Sequence, residues 1–161
     1  MEIQIKKLKS NAIIPTYKHV DENGNPNDMG MDITCIEYEY DSKYDRFIYH
    51  TGLAFKLPQG YGMLIFPRSS NTKTDAYLPN SVGILDSTYV GELTFAYKLR
   101  DYQRKDDKDI LNIAPYNVGD KIGQIVIIPF PSISFKEVKE LPQTDRGCDG
   151  GINRLDNNFK I

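Results

Sequence analysis

Residues 47–57 read FIYHTGLAFKL, a run rich in the β-branched and aromatic residues that favour strands. Near the N-terminus, Ile3 and Ile5 alternate with Gln4 and Lys6, which is the period of a strand with one buried face. Similar runs, separated by Gly, Pro, Asn and Asp, occupy residues 33–40, 62–66, 91–97, 110–113, 121–130 and 133–138. No convincing amphipathic helix exceeds about two turns. The sequence therefore predicts an all-β fold, a sandwich or a barrel.

Composition narrows the class of protein. The 161 residues fit one domain, and their net charge of −2, from 20 basic and 22 acidic residues, argues against a nucleic-acid-binding protein. No stretch approaches the roughly 20 apolar residues of a membrane span, so no membrane partner is expected. Cys35 and Cys148 have neither disulfide nor metal-site spacing and are expected to be reduced thiols. We expect a cytoplasmic protein, of cellular or viral origin.

Three polar segments interrupt the strand pattern. Residues 19–28 (HVDENGNPND) and 100–109 (RDYQRKDDKD) are predicted to be solvated loops. The last segment is rich in Asp, Gly and Asn and too poor in apolar residues to build a core. We therefore predict a β domain over residues 1–142 and a flexible tail over residues 143–161.

Two loops carry residues suited to a nucleotide. Residues 67–71 (PRSSN) follow a predicted strand, and a guanidinium beside two hydroxyls suits a phosphate, although such loops are also common on surfaces. In residues 80–91 (NSVGILDSTYVG), a predicted buried strand leads into a turn with Asp86 and Tyr89. Asp86 could activate a water or merely cap the turn, and Tyr89 could merely pack. Gln124, amid apolar neighbours, needs a backbone or ligand partner.

The order and spacing of these segments resemble the trimeric dUTPase family over residues 3–151. Gly30-Met-Asp-Ile is similar to the first family motif and Pro67-Arg-Ser-Ser to the second. The third and most specific is Gly83-Ile-Leu-Asp-Ser-Thr-Tyr-Val-Gly-Glu, followed by Gly119-Asp-Lys-Ile-Gly-Gln as the fourth. Arg146-Gly opens the fifth. The resemblance implies a jelly-roll-like subunit that forms a homotrimer with active sites shared between subunits.

The resemblance also implies a reaction, the hydrolysis of dUTP to dUMP and pyrophosphate with Mg²⁺. Asp86 would activate the attacking water and contact the 3′-hydroxyl, and Tyr89 would pack on the deoxyribose. Asp32 would support the site and its hydrated metal, which the triphosphate itself would hold without a direct protein ligand. The remaining implied contacts are uracil recognition by Asn80 with the backbone of the Gly83 hairpin, and phosphate binding by Arg68, Ser69, Ser70, Gln124 and Arg146.

The fifth motif departs from the family pattern. Residues 146–154 read RGCDGGINR, where the family has Arg-Gly-x-Gly-Gly-Phe-Gly-Ser-Thr-Gly, so the stacking Phe and the phosphate-binding Gly-Ser-Thr are missing. Arg154 could supply a phosphate contact or could be a solvated tail residue. The departure concerns the lid over the substrate and leaves the other four motifs intact.

Three alternatives to a dUTPase remain at this point. The related dCTP deaminases carry Thr-Leu-Glu after the hairpin, and this chain has Thr94-Phe95-Ala96 there, so deamination is disfavoured. A pyrophosphatase for another deoxynucleotide would also fit, because the lid is the part that departs. The third alternative is a regulatory protein that uses the same scaffold to bind a protein partner, with weak hydrolysis.

Overall fold

The computed structural model describes residues 1–80, 82–100 and 110–145. Strands dominate these residues, and the prediction of an all-β fold is confirmed. In chain order the strands are β1 (Gln4–Lys7), β2 (Met31–Thr34), β3 (Glu37–Asp41), β4 (Arg46–Lys56), β5 (Tyr61–Phe66), β6 (Ala76–Tyr77), β7 (Gly83–Leu85), β8 (Glu92–Leu99) and β9 (Lys121–Pro129). Two short 3₁₀ helices span Ser69–Lys73 and Ile110–Ile113. Within the described ranges, no helix is long and apolar enough to cross a membrane.

The strands form two antiparallel sheets. In the first sheet the order is β1-β4-β8-β6. The strand β3 also pairs with β4, on the same edge as β1 but further toward the start of β4. In the second sheet the order is β2-β9-β5-β7. The predicted strand over residues 33–40 is in fact two strands, because the chain passes from the second sheet to the first between Thr34 and Glu37. This crossing gives each sheet one half of an apolar run that looked continuous in the sequence.

The core lies between the inward faces of the two sheets. Its largest fully buried side chains come from the central strands of both sheets and include Phe47, Tyr49, Met63, Phe95, Tyr97 and Ile125. The Tyr97 hydroxyl of β8 donates to the Ile122 carbonyl of β9 at 2.6 Å and so joins the two sheets across the core. Burial raises the pKa of the Tyr97 hydroxyl, which keeps it a neutral donor.

Two strand predictions and one burial prediction were wrong. Residues 110–113 form a 3₁₀ helix in which only Ile110 is buried, and Pro115 follows closely and restricts the backbone. Ile84 was expected inside but is 71% exposed, because residues alternate between the two faces of β7 and Ile84 points outward between the buried Gly83 and the half-buried Leu85. Residues 133–138 are exposed and form no strand, since none of the described strands pairs with them. An apolar run needs a hydrogen-bonding neighbour to become a strand.

The chain divides into two compact units, Met1–Pro131 and Ser132–Ile161. The first unit contains every strand named above. In the second unit, the described residues 132–145 have no helix or strand and are exposed throughout. The predicted boundary between residues 142 and 143 falls inside the second unit and stays a prediction.

Candidate functional site

A cleft of about 470 Å³ opens where β2, β9 and β5 lie side by side. Asp32 on β2 is the cross-strand partner of Gln124 on β9, and Gln124 is also the partner of Phe66 on β5. Directly opposed residues of antiparallel strands project from the same face of the sheet. The register therefore brings Asp32, Gln124 and the Arg68–Ser69 segment that follows β5 into one cleft, as the lining of the cleft shows.

The Asp32 carboxylate, at the floor of this cleft, forms salt bridges with two basic side chains. Its carboxylate accepts from Arg68 Nε and from Lys121 Nζ, both at 2.8 Å. Partial burial raises the pKa of Asp32, but the hydrogen bonds and charges of Lys121 and Arg68 outweigh this, so its pKa lies below the ordinary value. The carboxylate is thus ionised at neutral pH. Arg68 uses Nε here, and its two terminal nitrogens have no hydrogen-bond partner among the residues the structure describes, so they can donate to a phosphate.

Gln124 has the backbone partner that the sequence left open. Its Nε2 donates to the Pro67 carbonyl at 3.1 Å, which ties β9 to the turn before Arg68. Its Oε1 lies against Gly30, where a Cβ would come within 2.8 Å of that oxygen. Gly30 therefore provides the space into which the Gln124 amide fits. A side chain at position 30 would therefore force the Gln124 amide to shift.

Arg68 is followed by the short 3₁₀ helix Ser69–Lys73, which hydrogen bonds anchor on the side away from the cleft. Ser69 and Ser70 are both exposed, and Ser69 lines the cleft whereas Ser70 does not. Asn71 donates through Nδ2 to the Ala76 carbonyl at 2.8 Å and accepts from the Tyr116 hydroxyl at 2.7 Å. These bonds hold the turn so that Arg68 and Ser69 face the cleft from a defined backbone.

The turn between β7 and β8 forms a second, smaller cleft of about 180 Å³, which Asp86 and Tyr89 both line. Asp86 is exposed, and its carboxylate has no hydrogen-bond partner among the described residues. Lys56 Nζ donates to the Ser87 carbonyl at 2.9 Å and anchors the turn. The Tyr89 hydroxyl donates to the Glu92 carbonyl at 3.0 Å. An anchored turn thus presents an available carboxylate next to a half-exposed aromatic ring.

Asn80 and Gly83 lie where the chain enters β7. The Asn80 Nδ2 is 3.2 Å from the place a Cβ would occupy at Gly83, and Ile65 of β5 is 3.0 Å from it. Gly83 therefore allows Asn80 and β5 to approach the start of the strand. Neither Asn80 nor Gly83 lines the two clefts described above. Arg146, the remaining predicted site residue, lies outside the described residues.

The two clefts lie at opposite ends of β5. Leu85 pairs with Met63, so the next residue, Asp86, lies beside Gly62 at the start of β5. Arg68 follows the other end of the strand, six residues further along. At ~3.3 Å per residue the two backbone positions are roughly 20 Å apart. The structure therefore brings together Asp32, Arg68, Ser69 and Gln124, and separately Asp86 and Tyr89, but keeps the two groups apart within one chain.

The dUTPase family model matches residues 16–153, a range that includes the first four motif segments and the Arg146-Gly start of the fifth. The chain belongs to the dUTPase family. Two curated relatives are named deoxyuridine 5′-triphosphate nucleotidohydrolase. The one from Helicobacter hepaticus is 32% identical over 93% of this chain and 86% of its own length. The one from Syntrophotalea carbinolica is 34% identical over 93% of each chain.

Solved dUTPase structures share the fold. A variant of the dUTPase from phage phi11 of Staphylococcus aureus is 25% identical, with a TM-score of 0.62 over 87% of this chain and 98% of that one. It was solved to describe the coordination of a structural Mg(II) ion. A variant of the dUTPase from Staphylococcus bacteriophage 80alpha, solved with dUpNHpp, has a TM-score of 0.70 over 96% of this chain and 99% of that one, at 23% identity.

Sequence reasoning missed part of the main cleft. Lys121 stands inside the quoted fourth motif, and its place two residues after Gly119 was the available signal. The other missed residues are Thr16, Lys18, His19, Asp28 and Met29, and of these His19 and Asp28 belong to the segment 19–28 that was predicted to be a solvated loop. A polar loop gives no sign in the sequence of which surface it folds against.

Proposed function

We propose that this member of the dUTPase family is a homotrimer that hydrolyses dUTP to dUMP and pyrophosphate with Mg²⁺. The observation that carries the proposal is the cleft in which Asp32 aligns Arg68 and Lys121, both at 2.8 Å, beside Gln124. Two fixed cations with unused N–H donors are suited to a polyphosphate. The names of the curated relatives support dUTP as that polyphosphate.

In this proposal the main cleft binds the phosphate chain. Arg68 donates through its terminal nitrogens and Ser69 through its hydroxyl, and Ser70 donates from beside the cleft lining. Gln124 holds the turn that carries them. Asp32 keeps the Arg68 guanidinium in a fixed orientation, so little reorganisation is needed when the substrate binds. The second cleft binds the sugar, with Tyr89 against the deoxyribose, while Asn80 and the backbone near Gly83, which lie outside the lining of this cleft, contact the uracil edge.

Asp86 is the proposed general base. Its carboxylate takes a proton from a water whose oxygen attacks the α-phosphorus. The new bond joins that oxygen to the α-phosphorus, and the bond from the α-phosphorus to the bridging oxygen breaks. Pyrophosphate leaves with the electron pair of that bond, and dUMP remains. The exposed position of Asp86 supports this role, because its carboxylate is available to a water and a substrate.

The described residues fit a metal that is held by the substrate. They contain no group of three or more His, Cys, Asp or Glu side chains that could hold a metal ion. Asp32, the carboxylate on the cleft floor, already accepts from two cations, so it suits contact with a metal-bound water better than direct ligation. When bound, Mg²⁺ would neutralise charge on the triphosphate.

The separation of the clefts supports a site shared between subunits. Consecutive phosphates are joined by single oxygen atoms, so a triphosphate is far shorter than the roughly 20 Å between the Asp86 and Arg68 backbone positions. A second copy can bring its Asp86 turn closer to the first copy's cleft than the Asp86 turn of the same chain lies. In the same proposal Arg146 clamps the far end of the phosphate chain.

A nucleotide panel tests this function. We expect kcat/KM for dUTP, with Mg²⁺, to exceed that for dTTP, dCTP, dATP, dGTP and UTP by at least about a hundredfold. The measurements are pyrophosphate release and chromatographic identification of the monophosphate. A preference for another nucleotide would favour a different pyrophosphatase, and no turnover of any nucleotide would favour the regulatory role. Efficient turnover of UTP would contradict the assignment of Tyr89 to sugar selection.

A further inference from the structure

Residues 19–28 fold into a hairpin that is ordered by its own polar groups. Val20 and Pro26 form an antiparallel bridge, and the Asp21 N–H donates to the Asn25 carbonyl at 2.8 Å. The Asp21 carboxylate accepts from the backbone N–H of Asn23 at 2.9 Å and of Asn25 at 2.7 Å, which closes the tip. A polar segment with this many internal hydrogen bonds presents its base in a defined position.

The base of the hairpin is organised by Asp28. Its Oδ2 accepts from the backbone N–H of Lys18 at 3.1 Å and of His19 at 2.8 Å. Its Oδ1 lies 2.9 Å from His19 Nδ1. Because the His19 hydrogen bonds hold the pKa of Asp28 below its ordinary value, the carboxylate is ionised and only accepts, and His19 Nδ1 must carry the hydrogen. The other ring nitrogen, Nε2, has no hydrogen-bond partner in the described part of the chain and can contact a ligand.

This base forms one wall of the polyphosphate cleft. Lys18, His19 and Asp28 line the same cleft of about 470 Å³ as Arg68 and Lys121. The His19 side chain is 63% exposed, so its ring is open to solvent and ligands. Both carboxylates of the cleft are already bonded, Asp32 to two cations and Asp28 to the His19 ring and two amides. The donors facing the cleft therefore outnumber its available acceptors, which suits an anion.

We propose that His19, oriented by Asp28, is a further residue that binds the substrate's phosphate chain. This inference rests on the proposed function, because it adds a contact to the same site. A charged imidazolium donates from Nε2 to a phosphate oxygen, and a neutral ring accepts there from a protonated phosphate. Either form places a hydrogen bond between Nε2 and the phosphate chain, and Lys18 adds a cation beside it.

The variant His19→Asn isolates this contact. An asparagine amide can replace Nδ1 as the donor to Asp28, so the hairpin keeps its base, but nothing replaces Nε2. We expect the full-length variant to bind inorganic tripolyphosphate, with Mg²⁺ in calorimetry, about tenfold more weakly than the wild type does. The KM for dUTP should rise by a similar factor while kcat stays within about twofold, because the contact is made equally in the ground and transition states.

Two further variants serve as controls. Asn23→Ala changes an exposed side chain at the tip of the same hairpin and should leave tripolyphosphate affinity unchanged. His19→Lys places a hydrogen-bond donor at the rim and should retain affinity within about threefold, which separates loss of a phosphate contact from damage to the hairpin. Thermal melting of each variant checks that the fold is intact.

The outcomes separate this inference from the proposed function. Tripolyphosphate binding that is equal in the wild type and His19→Asn overturns the inference, whether or not dUTP is hydrolysed. An absence of tripolyphosphate binding by the wild type also overturns it. Weaker binding by His19→Asn in a protein that fails to hydrolyse dUTP would support the inference and reject the proposed function.

Discussion

At the scale of the residue, Asp32 and Asp86 show how surroundings assign different tasks to the same side chain. Asp32 accepts from two cations, and its pKa lies below the ordinary value, so it is a poor acceptor for a proton from water. Asp86 is exposed and has no hydrogen-bond partner among the described residues. Of these two carboxylates, Asp86 is therefore the one available to act as a base, and Asp32 is suited to positioning.

The first prediction follows from that difference. Asp86→Asn keeps the shape of the side chain and removes its ability to take a proton. We expect kcat for dUTP to fall by at least about a hundredfold, with KM changed by less than about threefold. Asp45→Asn is a matched control, because Asp45 is an exposed turn carboxylate that accepts from the Tyr40 hydroxyl and an amide can replace it there. Steady-state kinetics that leave Asp86→Asn near wild-type turnover would refute the assignment.

At the scale of the element, β9 combines core packing with the site. It lies between β2 and β5, buries Ile122 and Ile125, and carries Gln124 into the cleft. Between Ile122 and Gln124 the strand has a glycine, Gly123. A Cβ at this position would lie 2.1 Å from the Phe95 ring of the opposite sheet, so the ring occupies the space that a side chain would need. The packing of Phe95 onto Gly123 thus sets how closely β9 approaches β8, and with it the position of Gln124.

The second prediction concerns that contact. Gly123→Ala would place a methyl group 2.1 Å from the Phe95 ring and 2.9 Å from the Phe66 carbonyl, and the backbone oxygen cannot move aside cheaply. We expect a loss of about 3 kcal/mol of stability, and a fall of roughly 6–12 °C in Tm by calorimetry. Gly62→Ala is the matched control, since its nearest neighbours would be at an ordinary 3.6 Å. In the double variant, Phe95→Leu added to Gly123→Ala should recover part of the lost stability. Equal Tm values for Gly123→Ala and Gly62→Ala would contradict the proposed clash with Phe95.

At the scale of the whole molecule, the two clefts of one chain lie far apart relative to the length of a triphosphate. Asp86 lies near the start of β5 and Arg68 follows its end, roughly 20 Å apart along the strand. The proposed trimer resolves this by pairing the Asp86 turn of one subunit with the Arg68 cleft of another. Activity is then a property of the assembly, and an isolated chain should be inactive.

The third prediction tests this pairing with mixed assemblies. Asp86→Asn and Arg68→Ala chains, each nearly inactive alone, are coexpressed with different tags. About three quarters of randomly formed trimers contain both chains, and each of these has one intact site of three, so about a quarter of wild-type activity should return. Arg68→Ala mixed with Gln124→Ala is the control and should recover nothing, because those two residues share one subunit's cleft. Native mass spectrometry confirms mixing, and mixed trimers without recovered activity would contradict the shared site.

The sequence alone determined the fold class and the family, because both depend on local patterns. Alternation of apolar and polar residues identified β1, β4, β5, β8 and β9 near their observed bounds, and the order of the motifs identified the dUTPase family. Periodicity reports which residues can be buried and does not report what covers them. For this reason residues 110–113 and 133–138 were wrongly predicted as strands, and the exposure of Ile84 at a sheet edge was missed.

Only the tertiary structure decided how the candidate site is distributed. Strand register places Asp32, Arg68 and Gln124 in one cleft and Asp86 in another, and register is a relation between distant segments that no local pattern contains. The hairpin of residues 19–28 is the second case. Its composition correctly predicted a polar loop. It did not predict that hydrogen bonds from Lys18 and His19 to Asp28 would hold the base of this hairpin along one side of the cleft. Polarity shows that a segment can face water, and only the path of the folded chain decides which cleft it borders.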